Sequence, residues 1–368
     1  MLLLIIGLVL FIGLILIHEW GHFIVARRNG VDVEEFGLFF PPRAKVLTKK
    51  NGTTYTLNWL PLGGFVKLKG ENDADRRPGS FGAATTWVKS KIMLAGVAMN
   101  LIVAFVLLTV LAFVGMPKLL DNQFTIASDT KIVKNEVLVG YVSEDSPAAQ
   151  AGLLRGDQLV RFAGQPVAGA AELPEITQQH AGETVAVEYI RDGQQRTAEV
   201  SLLSEETIEE SRQTDEPRGY FGVAPTEYTL QRSTWSAPIV GAGLIVQFTG
   251  ATFQGLGTAI SSLFHGDTTT ASEQVSGPVG VFVVMRDGSI LGFEFMLLVV
   301  AIISLSLAIM NALPIPALDG GRLFVLLVSR ALKKPLTPKV EEAIHGAGFV
   351  FLLGLIVLIS VVDVRRFF

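Results

Sequence analysis

His18-Glu19-Trp20-Gly21-His22 reads H-E-x-x-H, and it lies inside an apolar run that begins at Leu2 and meets its first basic residues at Arg27-Arg28. On a helix, His18 and His22 share one face and can present two imidazoles to a zinc ion. Glu19 sits beside that face, where it can act as general base on a water activated by the metal. The pattern alone recurs by chance, and on an ordinary helix it would be polar residues at a surface. Its setting argues otherwise: two His and a Glu in a segment apolar enough to enter a bilayer cost several kcal/mol unless partnered or functional.

The rest of the chain fits a membrane protein. Of 368 residues, 49% are hydrophobic and only 17% charged, and mean hydropathy is +0.46. The net charge of -4 hides an asymmetry, because residues 121–232 carry 19 acidic and 9 basic side chains, about -10, leaving about +6 for the remainder. An acidic insert on one side of a membrane and basic loops on the other give that split. No basic patch is interleaved with aromatics, so a nucleic-acid partner is not expected. With no Cys in the chain, disulfides and thiolate ligands are excluded, and a metal must be held by His, Asp or Glu. The N-terminal run lacks the basic flank and small-residue cleavage site of a signal peptide, and cleavage would discard the motif; it reads as a retained helix.

Long apolar runs at 2–26, 92–117, 295–318 and 346–362 read as about four transmembrane helices. Residues 27–91 hold 12 basic and 6 acidic residues, and Arg330, Lys333, Lys334 and Lys339 follow the third run. The positive-inside rule then puts both loops in the cytoplasm and the acidic segment outside. A fifth stretch, 233–264, is long but rich in Gly, Ser, Thr and Gln; crossing there would put the two basic loops on opposite sides, so it reads as an interfacial amphipathic helix. Arg365-Arg366, at the outer end, runs against this topology.

Within the first loop, residues 53–57 read as one strand and 58–68 as a second, with Lys49-Lys50-Asn51-Gly52 as the preceding turn. Gly63-Gly64 allows close backbone approach. Such a hairpin either caps the helices or offers a sheet edge to an extended substrate; the residues leave both open. In the acidic segment, Val137–Val142 and the run Ser146-Pro147-Ala148-Ala149-Gln150-Ala151-Gly152-Leu153-Leu154-Arg155-Gly156-Asp157-Gln158-Leu159 predict strand, small-residue helix, turn and strand in quick succession. Further strands are expected at 183–191 and 196–203 about Asp192-Gly193. This segment resembles a single PDZ domain, a fold that implies an extended-chain or C-terminal ligand on the outer side. Residues 205–216 read as an acidic linker. The chain thus divides into 1–120 with the first two spans and β-loop, 121–232, 233–290, and 291–368 with the last two spans.

Two His do not complete a catalytic zinc site. His180, His265 and His345 read as surface or boundary residues, since none lies deep in an apolar run. Asp319 does adjoin one, in Asn311-Ala312-Leu313-Pro314-Ile315-Pro316-Ala317-Leu318-Asp319-Gly320-Gly321-Arg322. Two prolines break the helix there and free backbone groups, which at membrane depth is tolerated around a cavity or protein interior. Asp319 is either an N-cap or a third ligand. Topology favours the ligand, because spans one and three reach their cytoplasmic ends near His22 and Asp319.

Together these motifs resemble the site-2 protease family of intramembrane zinc metalloproteases, in particular the bacterial regulator-of-sigma-E protease branch. The resemblance implies one Zn2+ held by His18, His22 and Asp319, with Glu19 as catalytic base. It implies substrate handling by Asn311, with Pro314 and Pro316 in the same stretch, and a membrane-associated β-loop, Gly63-Gly64-Phe65-Val66-Lys67, that feeds the substrate as an added strand. Asn100 matches the Asn of a segment opening span two; Val97 replaces the proline usual there. Many members of the branch carry two PDZ domains, where one is expected here. The implied location is the bacterial inner membrane, with the site near its cytoplasmic side. Implied partners are single-span membrane proteins, such as an anti-sigma factor, remnant signal peptides, and the lipid bilayer itself. Two other readings remain: a membrane-anchored PDZ receptor, and a zinc peptidase acting on soluble unfolded chains.

Overall fold

The apolar run around the motif forms one unbroken helix because nothing in it stops a helix before Asn29-Gly30. There Gly30 takes a left-handed conformation (φ 76°) and Val31 N–H bonds back to Ala26 O at 3.0 Å, the usual glycine stop. The computed structural model describes residues 2–71, 75–212, 217–334 and 336–368. In order, the chain forms α1 (Leu2–Arg28), β1 (Val33–Lys50), β2 (Thr53–Leu68), α2 (Thr86–Val114), β3 (Met116–Pro117), β4 (Lys131–Val142), α3 (Pro147–Gln150), β5 (Gln158–Phe162) and β6 (Gln165–Pro166). It continues with α4 (Leu173–Gln179), β7 (Thr184–Arg191), β8 (Gln194–Ser201), α5 (Glu205–Ser211) and β9 (Val223–Arg232). The helices α6 (Ala237–Phe264), α7 (Thr268–Glu273), α8 (Pro278–Gly288), α9 (Phe293–Ala312), α10 (Asp319–Ala331) and α11 (Pro338–Phe367) complete it. These elements fall into two units, Met1–Leu111 with Ser236–Phe368, and Ala112–Trp235.

In the first unit, α1, α2, α6, α9 and α11 are long and apolar enough to cross a membrane. The sequence expectation counted four such helices; α6 is the fifth and the least apolar, a continuous helix of 28 residues despite its Gly, Ser and Thr. One of those glycines has a packing role: a Cβ at Gly241 would stand 3.1 Å from the Thr109 backbone nitrogen of α2. The expected third span, 295–318, is helical only to Ala312. Leu313 turns extended (φ -67°, ψ 148°) ahead of Pro314, as the residue before a proline tends to do.

The β-loop differs from expectation. Asn51 and Gly52 both have positive φ (51° and 80°), the twist that suits a two-residue hairpin. However, 53–57 and 58–68 are one strand, β2, and its antiparallel partner is β1, a strand that the sequence reading missed. Pro41-Pro42 and the charges at 43–50 interrupt the apolar alternation that would have revealed it. Both strands bend, so that Phe36 faces Tyr55 on one side and Val66 on the other. Residues 64–68 pair only with 33–38 and form an edge of the sheet. Phe23 of α1 packs edge-on to Phe36, centroids 5.8 Å apart, and seats the sheet on that helix.

The second unit is a seven-stranded sheet in the order β3-β9-β4-β5-β7-β8, with β6 beside β5. Val139, Leu159, Phe162, Val187 and Val200 form its core with Leu173 of α4. Asp192-Gly193, with φ of 53° and 74°, turns β7 into β8. The acidic run expected to be a linker begins as α5, capped by Ser204 through the Thr207 amide; residues 213–216 lie outside the described residues. Ser146 caps α3, with Pro147 in its first turn. Asp157 is 1% exposed, and its carboxylate accepts from Arg191 Nε and Nη2, both at 2.6 Å, and from Leu154 N–H at 2.8 Å. Asp157→Ala strands a guanidinium and a backbone donor, a loss of about 3 kcal/mol. Limited proteolysis of the full-length protein should show cleavage within 112–235 rising about a hundredfold.

Candidate metal centre

Two helices can bring polar ligands together inside an apolar unit only if they approach closely, and α1 and α2 do so at glycines. A Cβ at Gly21 would lie 2.6 Å from Met99 Cγ and 2.7 Å from Ala95 O. A Cβ at Gly96 would lie 2.5 Å from His18 Cε1 and would also collide with His22 Nε2. Small residues at a helix crossing are the usual device for such approach in membranes. They leave Ile92, Gly96 and Asn100, four apart on one face of α2, directly behind His18 and His22.

That face holds the imidazoles by their far nitrogens. His22 Nδ1 donates to Ile92 O at 2.7 Å, which leaves Nε2 as the lone-pair nitrogen. His18 Nδ1 lies 3.1 Å from the Asn100 side-chain amide. Asn100 is fully buried, and its Oδ1 has no partner among the described residues while Nδ2 faces the ring. The opposite amide orientation, with Oδ1 accepting from Nδ1–H, satisfies both groups and frees Nε2 of His18. The two rings are T-shaped, 4.9 Å between centroids, with their Nε2 atoms 3.2 Å apart.

Asp319 completes the group. It opens α10 as the first residue after the N-cap position, which is Leu318. Its carboxylate points at the imidazoles, Oδ2 lying 3.1 Å from His18 Nε2 and 3.2 Å from His22 Nε2. The turn between α9 and α10 makes this possible. Gly320 and Gly321 lie against the backbones of Ala312 and Ile315, where any Cβ would collide. The three ligand atoms fall within 4.8 Å of one another. Asp319 Oδ2 is buried without a well-formed hydrogen bond although two nitrogens stand near it. Three atoms with lone pairs that converge on one point are disposed as ligands around a common ion, and a His-His-carboxylate set suits zinc.

A cavity of about 510 Å3 opens on these residues. Glu19 lines it, and a Cβ on Gly64 would stand 3.0 Å from Glu19 Cγ, so the edge strand runs against this side chain. Gly64, Phe65, Val66 and Asn311 line the cavity too, and Asn311 donates to Leu307 O of its own helix at 3.0 Å. Gly63, Lys67, Pro314 and Pro316 do not. Gly63 faces the Phe40 ring, Lys67 pairs with Glu34 at 3.1 Å, and Pro316 packs against Gly348 of α11. His180 pairs with Glu183 at 2.7 Å, and His265 bonds to Ser261 O at 2.7 Å; neither belongs to the ligand group. His345 accepts from Ala317 N–H at 3.3 Å. Sequence reasoning missed Gly96 and Ile92. Their four-residue spacing to Asn100 matches that of His18 and His22, and was the available signal.

Comparison with known proteins follows the same lines. The model of peptidase family M50 matches residues 6–355. A Clostridium perfringens protein, whose name provisionally assigns it to the zinc metalloproteases, is 30% identical over 360 residues, covering 97% of each chain. The regulator of sigma-W protease RasP of Bacillus subtilis is 26% identical over 448 aligned positions, covering 98% of each. The zinc metalloprotease RasP of Shouchella clausii is 25% identical over 444 positions, again covering 98% of each.

The backing of the imidazoles is testable through zinc content. Asn100→Ala should weaken zinc affinity about 10- to 100-fold in chelator competition. Gly96→Ala, by pushing both rings, should leave the purified protein short of zinc, whereas Gly13→Ala, with nothing within 4 Å, should bind it normally.

Proposed function

Because this chain belongs to peptidase family M50, the site-2 type of metalloprotease, we propose that it hydrolyses peptide bonds within the transmembrane segments of single-span membrane proteins. Anti-sigma factors and remnant signal peptides are the substrate classes that fit. The observation that carries the reading is the convergence of His18, His22 and Asp319 on one point inside a unit of membrane-length helices, with Glu19 on the same cavity.

In this reading His18, His22 and Asp319 hold one zinc ion. Zinc, when bound there, supplies Lewis acidity toward the scissile carbonyl and the attacking water. Glu19 takes the proton from that water and delivers it to the nitrogen of the leaving amine. A transmembrane helix conceals its peptide bonds, so the substrate must first become extended. The edge 64–68, lying against Glu19, can pair with it and satisfy its backbone groups away from water. Asn311, on the cavity wall, is placed to donate to the extended chain.

The finer architecture follows the same proposal. Four helices span the inner membrane, α6 lies at the interface, the β-loop and metal centre face the cytoplasmic side, and the unit 112–235 is an outer PDZ domain. A pocket of about 470 Å3 between α4 and residues 219–225 supports a chain-end ligand for that domain. The test is Glu19→Gln, which should retain stoichiometric zinc and lose cleavage of a single-span test protein by at least about a hundredfold, the lower bound for losing a general base. Cleavage persisting at the native rate would overturn the assignment.

A further inference from the structure

The edge strand that faces the cavity has a built end. Successive amides of a strand point to opposite sides. Lys69 N–H crosses to Asp32 O of the neighbouring segment at 2.9 Å, so the amides of Gly64, Val66 and Leu68 point toward the open edge. That of Val66 faces the Glu19 carboxylate, and that of Leu68 donates to Glu71 Oε1 at 2.9 Å. The other carboxylate oxygen of Glu71 lies 3.7 Å from Arg322 Nη2, in the first turn of the helix that Asp319 opens. Glu71 and Arg322 both line the cavity that contains the ligand group.

A carboxylate oxygen on an outward amide occupies the position that a carbonyl of an added strand would take. The ion pair itself contributes little to stability at its degree of exposure, so its importance lies in where it holds the carboxylate. We propose that Glu71, braced by Arg322, is the end stop for the substrate strand. Pairing extends over Gly64 and, when Glu19 turns to the attacking water, over Val66, but not onto Leu68, whose carboxylate partner is held by Arg322. This fixes the substrate's register relative to His18, His22 and Asp319 and selects the bond that is cut. Glu71 on this account is a positioning and specificity residue that touches no reacting atom. The inference rests on the reading that the edge 64–68 receives the substrate.

The experiment maps products by mass spectrometry, using the full-length protein and a single-span test protein that the native chain cuts at a defined bond. A register slip by two residues keeps each side chain on its face, whereas a slip by one inverts them all. Glu71→Ala should therefore yield cleavage displaced by two residues from the native bond, with zinc content unchanged. Glu71→Gln keeps a carbonyl acceptor on Leu68 N–H and should give the native map. A Glu71→Ala protein that cuts only the native bond overturns the end stop. Should that variant lose zinc, Glu71→Asp, one methylene too short to reach Leu68, is read by the same two outcomes. Val66→Pro tests the underlying reading, because it removes an outward edge donor at a position where proline is tolerated. Native cleavage by Val66→Pro would remove the edge-strand reading itself. Lost cleavage with zinc retained, beside a native map for Glu71→Ala, would leave that reading standing and reject the stop alone.

Discussion

Two imidazoles and a carboxylate inside apolar helices must have every polar atom occupied, and the first unit is arranged around that demand. The near nitrogens and Asp319 Oδ2 face one another. The far nitrogens need partners from a second helix, and α2 supplies them through Ile92 O and Asn100. A carbonyl and an amide can reach that far only if α1 and α2 nearly touch, hence Gly21 and Gly96 at their crossing. The carboxylate is subject to the same demand. Asp319 reaches the imidazoles because two glycines let α10 fold back against the end of α9.

The β-loop answers a second demand, that backbone packed against apolar helices be paired. Residues 35–38 are paired on both sides, which leaves 64–68 as the edge beside Glu19. A glycine at 64 brings this edge close to the carboxylate. Of the outward amides on this edge, that of Val66 faces Glu19 and that of Leu68 is satisfied by Glu71. The motif in α1 and the glycine-rich strand are thus parts of one surface.

The second unit is built by local rules. The tight turn at Asp192-Gly193, a Ser-Pro cap and an Asp157–Arg191 pair help set the path of its strands. The turn and the cap are short-range, which is why their positions were legible in the sequence; the ion pair joins residues 34 positions apart and was not. The acidic run beginning at Glu205 was less so, since charge alone does not separate a capped helix from a solvated linker.

The sequence by itself determined the HExxH helix, the Asn51-Gly52 and Asp192-Gly193 turns, the break before Pro314 and the candidacy of Asp319, because each is written in spacing or in backbone preference within a few residues. It favoured Asp319 as a ligand without showing where its carboxylate points, joined 58–68 to the wrong partner, and gave no role to Gly96, Ile92 or Glu71. Tertiary structure alone decided these. A glycine reads the same whether it meets solvent or an imidazole, and a strand's partner depends on which segment the fold carries to its edge. The direction in which a carboxylate points is likewise set by packing between residues hundreds of positions apart.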